Sequence, residues 1–287
     1  MESPPLGAGH VPVPVAGRAR LPGDRGDRRG AQGDLLSSDL ELAVSLAREA
    51  GALLLDRFGH AARDVGVKSS ATDMVSAADR DAEALIRRGL PPEDGLVGEE
   101  GSHRDAASGR RWVVDPLDGT TNFLYGFPQW AVSIALEGEL GVVFDPVRDE
   151  MFAAVAGSGA SLNGSPLRLA APPPLSTALI ATGFGYDAER RDKQGQVLSR
   201  VVPRIRDIRR AGAAALDLCW LAAGRLDGYY ERGLGAWDWA AARIVVEEAG
   251  GAVADLEPDP HGLAAAHPDL LPELLALVAE GESGIFR

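Results

Sequence analysis

The chain has 287 residues, 45% hydrophobic and 25% charged, which is ordinary for a soluble globular protein of one large or two modest domains. Its net charge of −13 argues against nucleic-acid binding as the main role, because a phosphate backbone would be repelled. No run of about 18 apolar residues offers a membrane span, and the single Cys219 excludes an intrachain disulfide and fits a reducing cytoplasm.

Residues 1–37 are rich in Pro, Gly, Arg and Asp without periodicity and read as a disordered tail. Arg28-Arg29 is followed by no apolar segment, so it is not read as an export signal. Ser38-Asp39-Leu40-Glu41 has capping-box spacing, and order is expected to begin there. Leu40, Ala43, Val44, Ala47, Ala50, Leu54 and Phe58 then recur at helical spacing up to Gly59. Residues 67–73 read as a polar loop. A second helix starts near Ser76, carries Asp79 in its first turn and stops at Gly89. Taken alone, Asp79 is an acid that suits the helix dipole. Residues 96–101 read as a short strand running into the acid pair Glu99-Glu100.

Trp112-Val113-Val114-Asp115-Pro116-Leu117-Asp118-Gly119-Thr120-Thr121-Asn122-Phe123 follows. An apolar run enters a carboxylate, proline breaks it, a second carboxylate comes next, and Gly-Thr-Thr opens a helix. A buried strand ending in acids beside a helix N-terminus suits a metal ion and a phosphate. Two acids three residues apart can also bridge a pair of hard cations.

Residues 130–136, 141–144 and 151–155 read as antiparallel strands, and Asn163-Gly164 as a turn. The best internal boundary is Ala170-Ala171-Pro172-Pro173-Pro174. It separates 38–171, two helices on an antiparallel sheet, from 172–287, a mixed α/β unit. In the second half, 177–182, 208–209, 229–231, 252–254 and 262–266 read as strands. Residues 188–202, 212–223, 237–249 and 267–279 read as helices.

Four groups of acids stand out: Asp79; Glu99; Asp115 with Asp118; and Asp238, between Trp237 and Trp239. Read alone, Asp238 suits a helix N-cap. No histidines pair at metal-ligand spacing, so the oxygen-only set points to Mg²⁺ rather than zinc. Haloacid-dehalogenase-like phosphatases need acids two residues apart, and here they are three apart. Gly157-Ser158-Gly159 lacks the frame of a serine-hydrolase elbow.

Together, Gly98-Glu99-Glu100, the Trp112-to-Phe123 motif, Trp237-Asp238 and Glu248-Ala249-Gly250-Gly251 resemble the inositol monophosphatase family of Mg²⁺-dependent, Li⁺-sensitive sugar and polyol phosphatases. Lys68-Ser69-Ser70 with Asp73 and Asp79, and Tyr229-Tyr230-Glu231, fit the same pattern. The resemblance covers roughly residues 38–280 and implies a layered αβαβα sugar-phosphatase fold, a homodimer, and two or three Mg²⁺ ions per site.

By resemblance, Glu99, Asp115 and the carbonyl of Leu117 hold the first ion. Asp115, Asp118 and Asp238 hold the second, and Glu99 is available to a weaker third. Glu99 and Thr120, the latter hydrogen-bonded to Asp79, activate water. The N–H groups of Gly119 and Thr120 hold the phosphate. Glu231 and the loop of Gly212, Ala213 and Ala214 face the polyol, as do Asp118 and Asp238, while Lys68 and Asp73 match a mobile loop. The chain departs from the family at Glu137 to Gly141 and Asp255 to Leu263, which are short. It also departs at 182–187, which lacks a serine that some relatives place against substrate.

Inositol monophosphate is the expected substrate and the cytoplasm the expected location. Histidinol phosphate, fructose 1,6-bisphosphate and nucleotide 3′-phosphates are alternatives on the same chemistry. A non-catalytic regulator binding RNA or transcription machinery is the alternative from another class, supported only by tail arginines that acids interrupt.

Overall fold

In the computed structural model, residues 28–59, 65–67, 74–258 and 260–286 are described. Strands that read as unbroken apolar runs must be covered on both faces, and two mixed sheets of such strands organise the chain. The first half runs α1 (Arg28–Arg57), β1 (Val65–Val67), β2 (Met74–Ser76), α2 (Ala77–Gly89), β3 (Gly95–Gly98), β4 (His103–Arg104), β5 (Arg111–Asp118) and α3 (Thr120–Leu124). It continues through β6 (Ala131–Leu136), β7 (Leu140–Asp145), β8 (Glu150–Val155), β9 (Gly159–Leu162) and β10 (Ser165–Leu167). The second half runs β11 (Leu179–Thr182), α4 (Ala188–Val201), β12 (Asp207–Arg209), α5 (Ala214–Ala222), β13 (Gly228–Arg232), α6 (Ala236–Glu248), β14 (Ala252–Leu256), β15 (Gly262–Ala266) and α7 (Leu271–Glu282).

An eight-stranded sheet has the order β10-β9-β8-β7-β6-β5-β3-β4, and a five-stranded sheet the order β12-β11-β13-β15-β14. Strand alternation divides the core. Trp112, Val114, Val132, Ile134 and Val142 pack under α1 and α2, while Val113, Ala131, Ala135 and Val143 pack against α5 and α6. The far face of the five-stranded sheet meets α4 and α7 through Ile180, Tyr230, Val197 and Leu274. The layers are therefore helices, sheet, helices, sheet, helices, the expected αβαβα order.

Several expectations need correction. The first helix starts at Arg28, so Ser38 lies in its interior rather than at its N-terminus. A capping box is a local signal and does not end a helix already running into it. Asp39 instead accepts Nη2 of Arg110 at 2.6 Å and ties α1 to the start of β5. Val67 pairs with Met74 in a two-stranded ribbon rather than lying in a loop. The first-half sheet is mixed, because β3 runs parallel to β5. Gly212 is left-handed and Ala213 extended, so α5 begins only at Ala214. The short strands β9 and β10 flank a turn in which Asn163 and Gly164 both have positive φ, as an Asn-Gly hairpin requires.

Candidate metal centre

The centre is built where β5 breaks. Strict alternation would send residues three apart to opposite faces of a sheet. Asp115 faces Ser133 and Asp118 faces Ala131 on β6, with an irregularity between them. Three steps on one strand thus match two on its neighbour, a bulge at Pro116, which has no N–H to donate. The extra residue brings Asp115 and Asp118 to one face. Oδ1 of Asp115 accepts the N–H of Leu117 at 2.9 Å, which fixes the bulge. The chain then turns at Gly119, with φ +94°, where an added Cβ would lie 2.9 Å from the carbonyl oxygen of Gln129. Only glycine fits there.

Asp118 also reaches the second half. Its carboxylate accepts the N–H groups of Ala214 at 3.1 Å and Ala215 at 2.8 Å, occupying the N-terminus of α5. Asp238 enters from the first turn of α6, held by the N–H of Gly235 at 2.6 Å. Oxygens of Asp115, Asp118 and Asp238 all lie within 4.8 Å of one another. Glu99 follows β3, its N–H bonded to the carbonyl of Val114 at 3.1 Å, and its side chain hydrogen-bonds Asp115. Oγ1 of Thr120 lies 3.0 Å from Oδ1 of Asp79 and 3.2 Å from the carbonyl oxygen of Leu117.

Crowding and burial perturb these acids. Burial first, then the charges of Glu99, Asp118 and Asp238, hold Asp115 well above the usual carboxylate range. Burial likewise raises Asp238, with Glu99 and Asp118 adding to it. Asp118 is pushed up to about 7, chiefly by burial, against the pull of the Ala215 and Ala214 N–H groups. Four convergent carboxylates with no histidine or cysteine among them fit a hard divalent cation, which would offset both the burial and the repulsion.

The polyol side is less uniform. Glu231, on β13, accepts the Tyr229 hydroxyl at 2.6 Å and is pushed up to about 7 by burial. The loop at Gly212 is tied to α3 by Nδ2 of Asn122, which lies 2.8 Å from the Ala211 carbonyl and 2.7 Å from that of Gln129. Ala214 is therefore brought to the centre with its N–H already taken by Asp118. Lys68 and Asp73 lie outside the described residues.

Sequence reading missed three neighbours of the centre. Tyr186 hydrogen-bonds Thr121 and feels the charges of Glu99, Asp118 and Asp238. Asp217 is 2% exposed on α5 near Asp118 and Glu231, and its Oδ1 has no hydrogen-bond partner among the described residues. Glu83 lies buried on α2 behind Glu99. Only Glu83 left a signal, an acid one helical turn after Asp79 on the same face.

The profile of the inositol monophosphatase family matches residues 35–282. The chain belongs to the inositol monophosphatase family. It is 45% identical over 233 residues to the inositol-1-monophosphatase of Rhizobium meliloti, covering 77% of this chain and 86% of that protein. It is 37% identical over 227 residues to a Haemophilus influenzae protein called Nus factor SuhB, covering 76% and 85%. Among solved structures, the extragenic suppressor protein suhB of Bartonella henselae aligns with a TM-score of 0.79 at 38% identity, over 85% of this chain and 99% of that one. Family membership and the acid cluster agree on a metal-dependent phosphatase scaffold.

The raised acids set a pH dependence for the metal-free fold. The folded pKa values of Asp118 and Glu231 are about 7, against roughly 4 for unfolded carboxylates. Between these values the folded chain binds more protons than the unfolded one. The stabilising effect of protonation is complete below about pH 4 and is lost as pH rises through about 7. The melting temperature in chelator is therefore expected to fall between pH 5 and pH 8, and a divalent cation should restore it at pH 8. Calorimetry across that range checks this, and a flat or rising profile in chelator would refute the cost of burying these charges.

Proposed function

We propose that the chain is a Mg²⁺-dependent phosphomonoesterase that hydrolyses inositol monophosphate to inositol and phosphate. The observation that carries this reading is the convergence of Asp115, Asp118 and Asp238 beside Glu99, next to the Thr120–Asp79 pair. In this reading Glu99, Asp115 and the Leu117 carbonyl hold one ion, and Asp115, Asp118 and Asp238 a second. Bound Mg²⁺ supplies an acidified water and neutralises the phosphate.

The chain's own groups do the rest. Glu99 and Oγ1 of Thr120 would orient the water, and Glu99 would take its proton as the water oxygen bonds to phosphorus and the ester P–O bond breaks; the departing alkoxide would then gain a proton and leave as inositol. Asp79 accepts the Thr120 hydroxyl proton and leaves the Thr120 oxygen free to receive a hydrogen bond from that water. The N–H groups of Gly119 and Thr120 face the phosphate, and Glu231 accepts a polyol hydroxyl. Positioning and electrostatics supply most of phosphoryl transfer, so no phosphoenzyme is needed.

The name of the Rhizobium relative supports inositol 1-phosphate as substrate. A homodimer and a cytoplasmic location complete the proposal. Among the described residues no helix is long and apolar enough to cross a membrane. Phosphate release should be measured with Mg²⁺ on inositol 1-phosphate, histidinol phosphate, fructose 1,6-bisphosphate and a nucleotide 3′-phosphate, with and without Li⁺. Inositol 1-phosphate is expected to show the highest kcat/KM, with inhibition by Li⁺. Release from none of the esters overturns the reading, and a different best ester overturns only the substrate.

The name Nus factor, carried by the Haemophilus relative, favours a second reading, a contact with transcription machinery. The net charge of −13 works against direct RNA binding. Filter binding of the full-length and tail-deleted chains to RNA separates the two.

A further inference from the structure

Glu99 stands at the start of a turn, and a flexible turn is a poor place for a metal ligand. Its backbone is held on one side by β5, through the Val114 carbonyl. The other side is held by a residue from α2. Both carboxylate oxygens of Glu83 are used there: Oε2 accepts the N–H of Glu100 at 2.8 Å, and Oε1 accepts the N–H of Ser102 at 2.9 Å. Glu83 is 4% exposed. The turn closes over it, with the N–H of Gly98 bonded to the Ser102 carbonyl at 2.8 Å.

The fit leaves no spare room. An added Cβ at Gly98 would lie 2.3 Å from Oε2 of Glu83. A carboxylate taken out of water at a cost of several kcal/mol is an expensive way to satisfy two peptide N–H groups that solvent could satisfy at a turn. It is a good way to hold that turn in one position, because charge-assisted bonds from both N–H groups fix its height and tilt. Asp79 stands one helical turn before Glu83 on the same buried face of α2 and holds Thr120. One rigid helix thus sets both Thr120 and the Glu99 turn.

We infer that Glu83 is a positioning residue for the metal centre: through the N–H groups of Glu100 and Ser102 it holds the carboxylate of Glu99 in the place where a divalent cation binds beside Asp115. This rests on the metal-dependent reading above. A ligand held from behind binds its metal more tightly because less freedom is lost on binding, and loss of such support typically weakens metal binding 10- to 100-fold.

The test uses Mn²⁺ alone, titrated calorimetrically into the wild-type chain, Glu83→Gln, Glu99→Gln and the double variant, at a temperature where circular dichroism shows all four folded. Glu83→Gln keeps the size but turns an N–H toward an N–H. It is expected to weaken Mn²⁺ binding on the order of 10- to 100-fold. In the Glu99→Gln background the same change is expected to have no further effect, since it acts through Glu99. Unchanged affinity in Glu83→Gln, or effects that add, overturns the inference; a purely structural role would lower the melting temperature and leave the two changes additive. Should Glu83→Gln fail to fold, Gly98→Ala crowds the same carboxylate from the turn side, and the same non-additive loss with Glu99→Gln is required of it. A wild-type chain that binds no Mn²⁺ overturns the metal-dependent reading as well, whereas normal wild-type binding with unaltered variants overturns this inference alone.

Discussion

Asp115→Asn is expected to lower kcat/KM for phosphate release on the order of a thousandfold or more while raising the stability of the metal-free fold. In the proposed site Asp115 contributes to both ions. Loss of several kcal/mol of charge stabilisation at about 1.4 kcal/mol per decade sets that scale. The fold should not suffer, because asparagine keeps an oxygen for the Leu117 N–H, the hydrogen bond that fixes the bulge. Stability should instead rise. Asp115 is raised by burial and by three neighbouring acids, and a neutral amide removes both costs. Melting in chelator at pH 8 should show a gain of a few degrees, and that gain should disappear when Mg²⁺ is added to both proteins. Substantial remaining activity would refute the assignment of Asp115, and a lower melting temperature in chelator would refute the claim of repulsion.

The second large effect is on stability and lies on the other face of β13. Residues of this strand alternate. Tyr229 and Glu231 turn toward the centre, joined by the hydrogen bond between their side chains. Tyr230 and Arg232 turn toward α4 and α7. Arg232 is 4% exposed. Its guanidinium forms a fork with Glu282 on α7, with one arm at 2.8 Å. It also donates to the carbonyls of Leu256 at 3.0 Å and Pro258 at 2.7 Å. It stacks over Phe286, with its central carbon 5.3 Å from the ring centre. One side chain therefore joins β13, α7 and the connection from β14 to β15.

Arg232→Met should destabilise the chain by about 3–5 kcal/mol, because Glu282, whose side chain is only 13% exposed, is left without its partner and several carbonyls lose their donors. That corresponds to a fall in melting temperature on the order of 10 °C. Lysine should rescue little, since its point charge cannot serve a planar fork and several carbonyls together. Adding Glu282→Met to Arg232→Met should recover part of the loss, because the unpaired acid is then gone. A fall of under about 3 °C in the single variant would show that the cluster contributes little.

The two effects separate cleanly. Asp115 is expected to trade stability for chemistry, and Arg232 to support the fold without touching the metal ligands. Glu83 sits between them, a buried acid whose expense is explained only by what it holds in place.

Much of the fold could be read from residue patterns. Apolar runs in 130–155 mark the central strands, and Asp115, Asp118 and Thr120 announce themselves within six residues, since a strand end, a glycine turn and a helix start are local features. The early start of α1 was hidden by a capping signal that is equally local and carries no information about what precedes it. What only the tertiary structure decided is how distant acids meet. The bulge that turns Asp115 and Asp118 to one face is defined by pairing with β6. Thr120 meets Asp79 across 41 residues, and Asp118 meets Ala215 across 97. Asn122, Tyr186 and Arg232 gain their roles the same way, through packing that no residue spacing encodes, and the spacing of Glu83 from Asp79 marks its face of α2 but not the turn it holds. The raised pKa values depend on it too, because burial and the nearness of other charges exist only once the layers have closed.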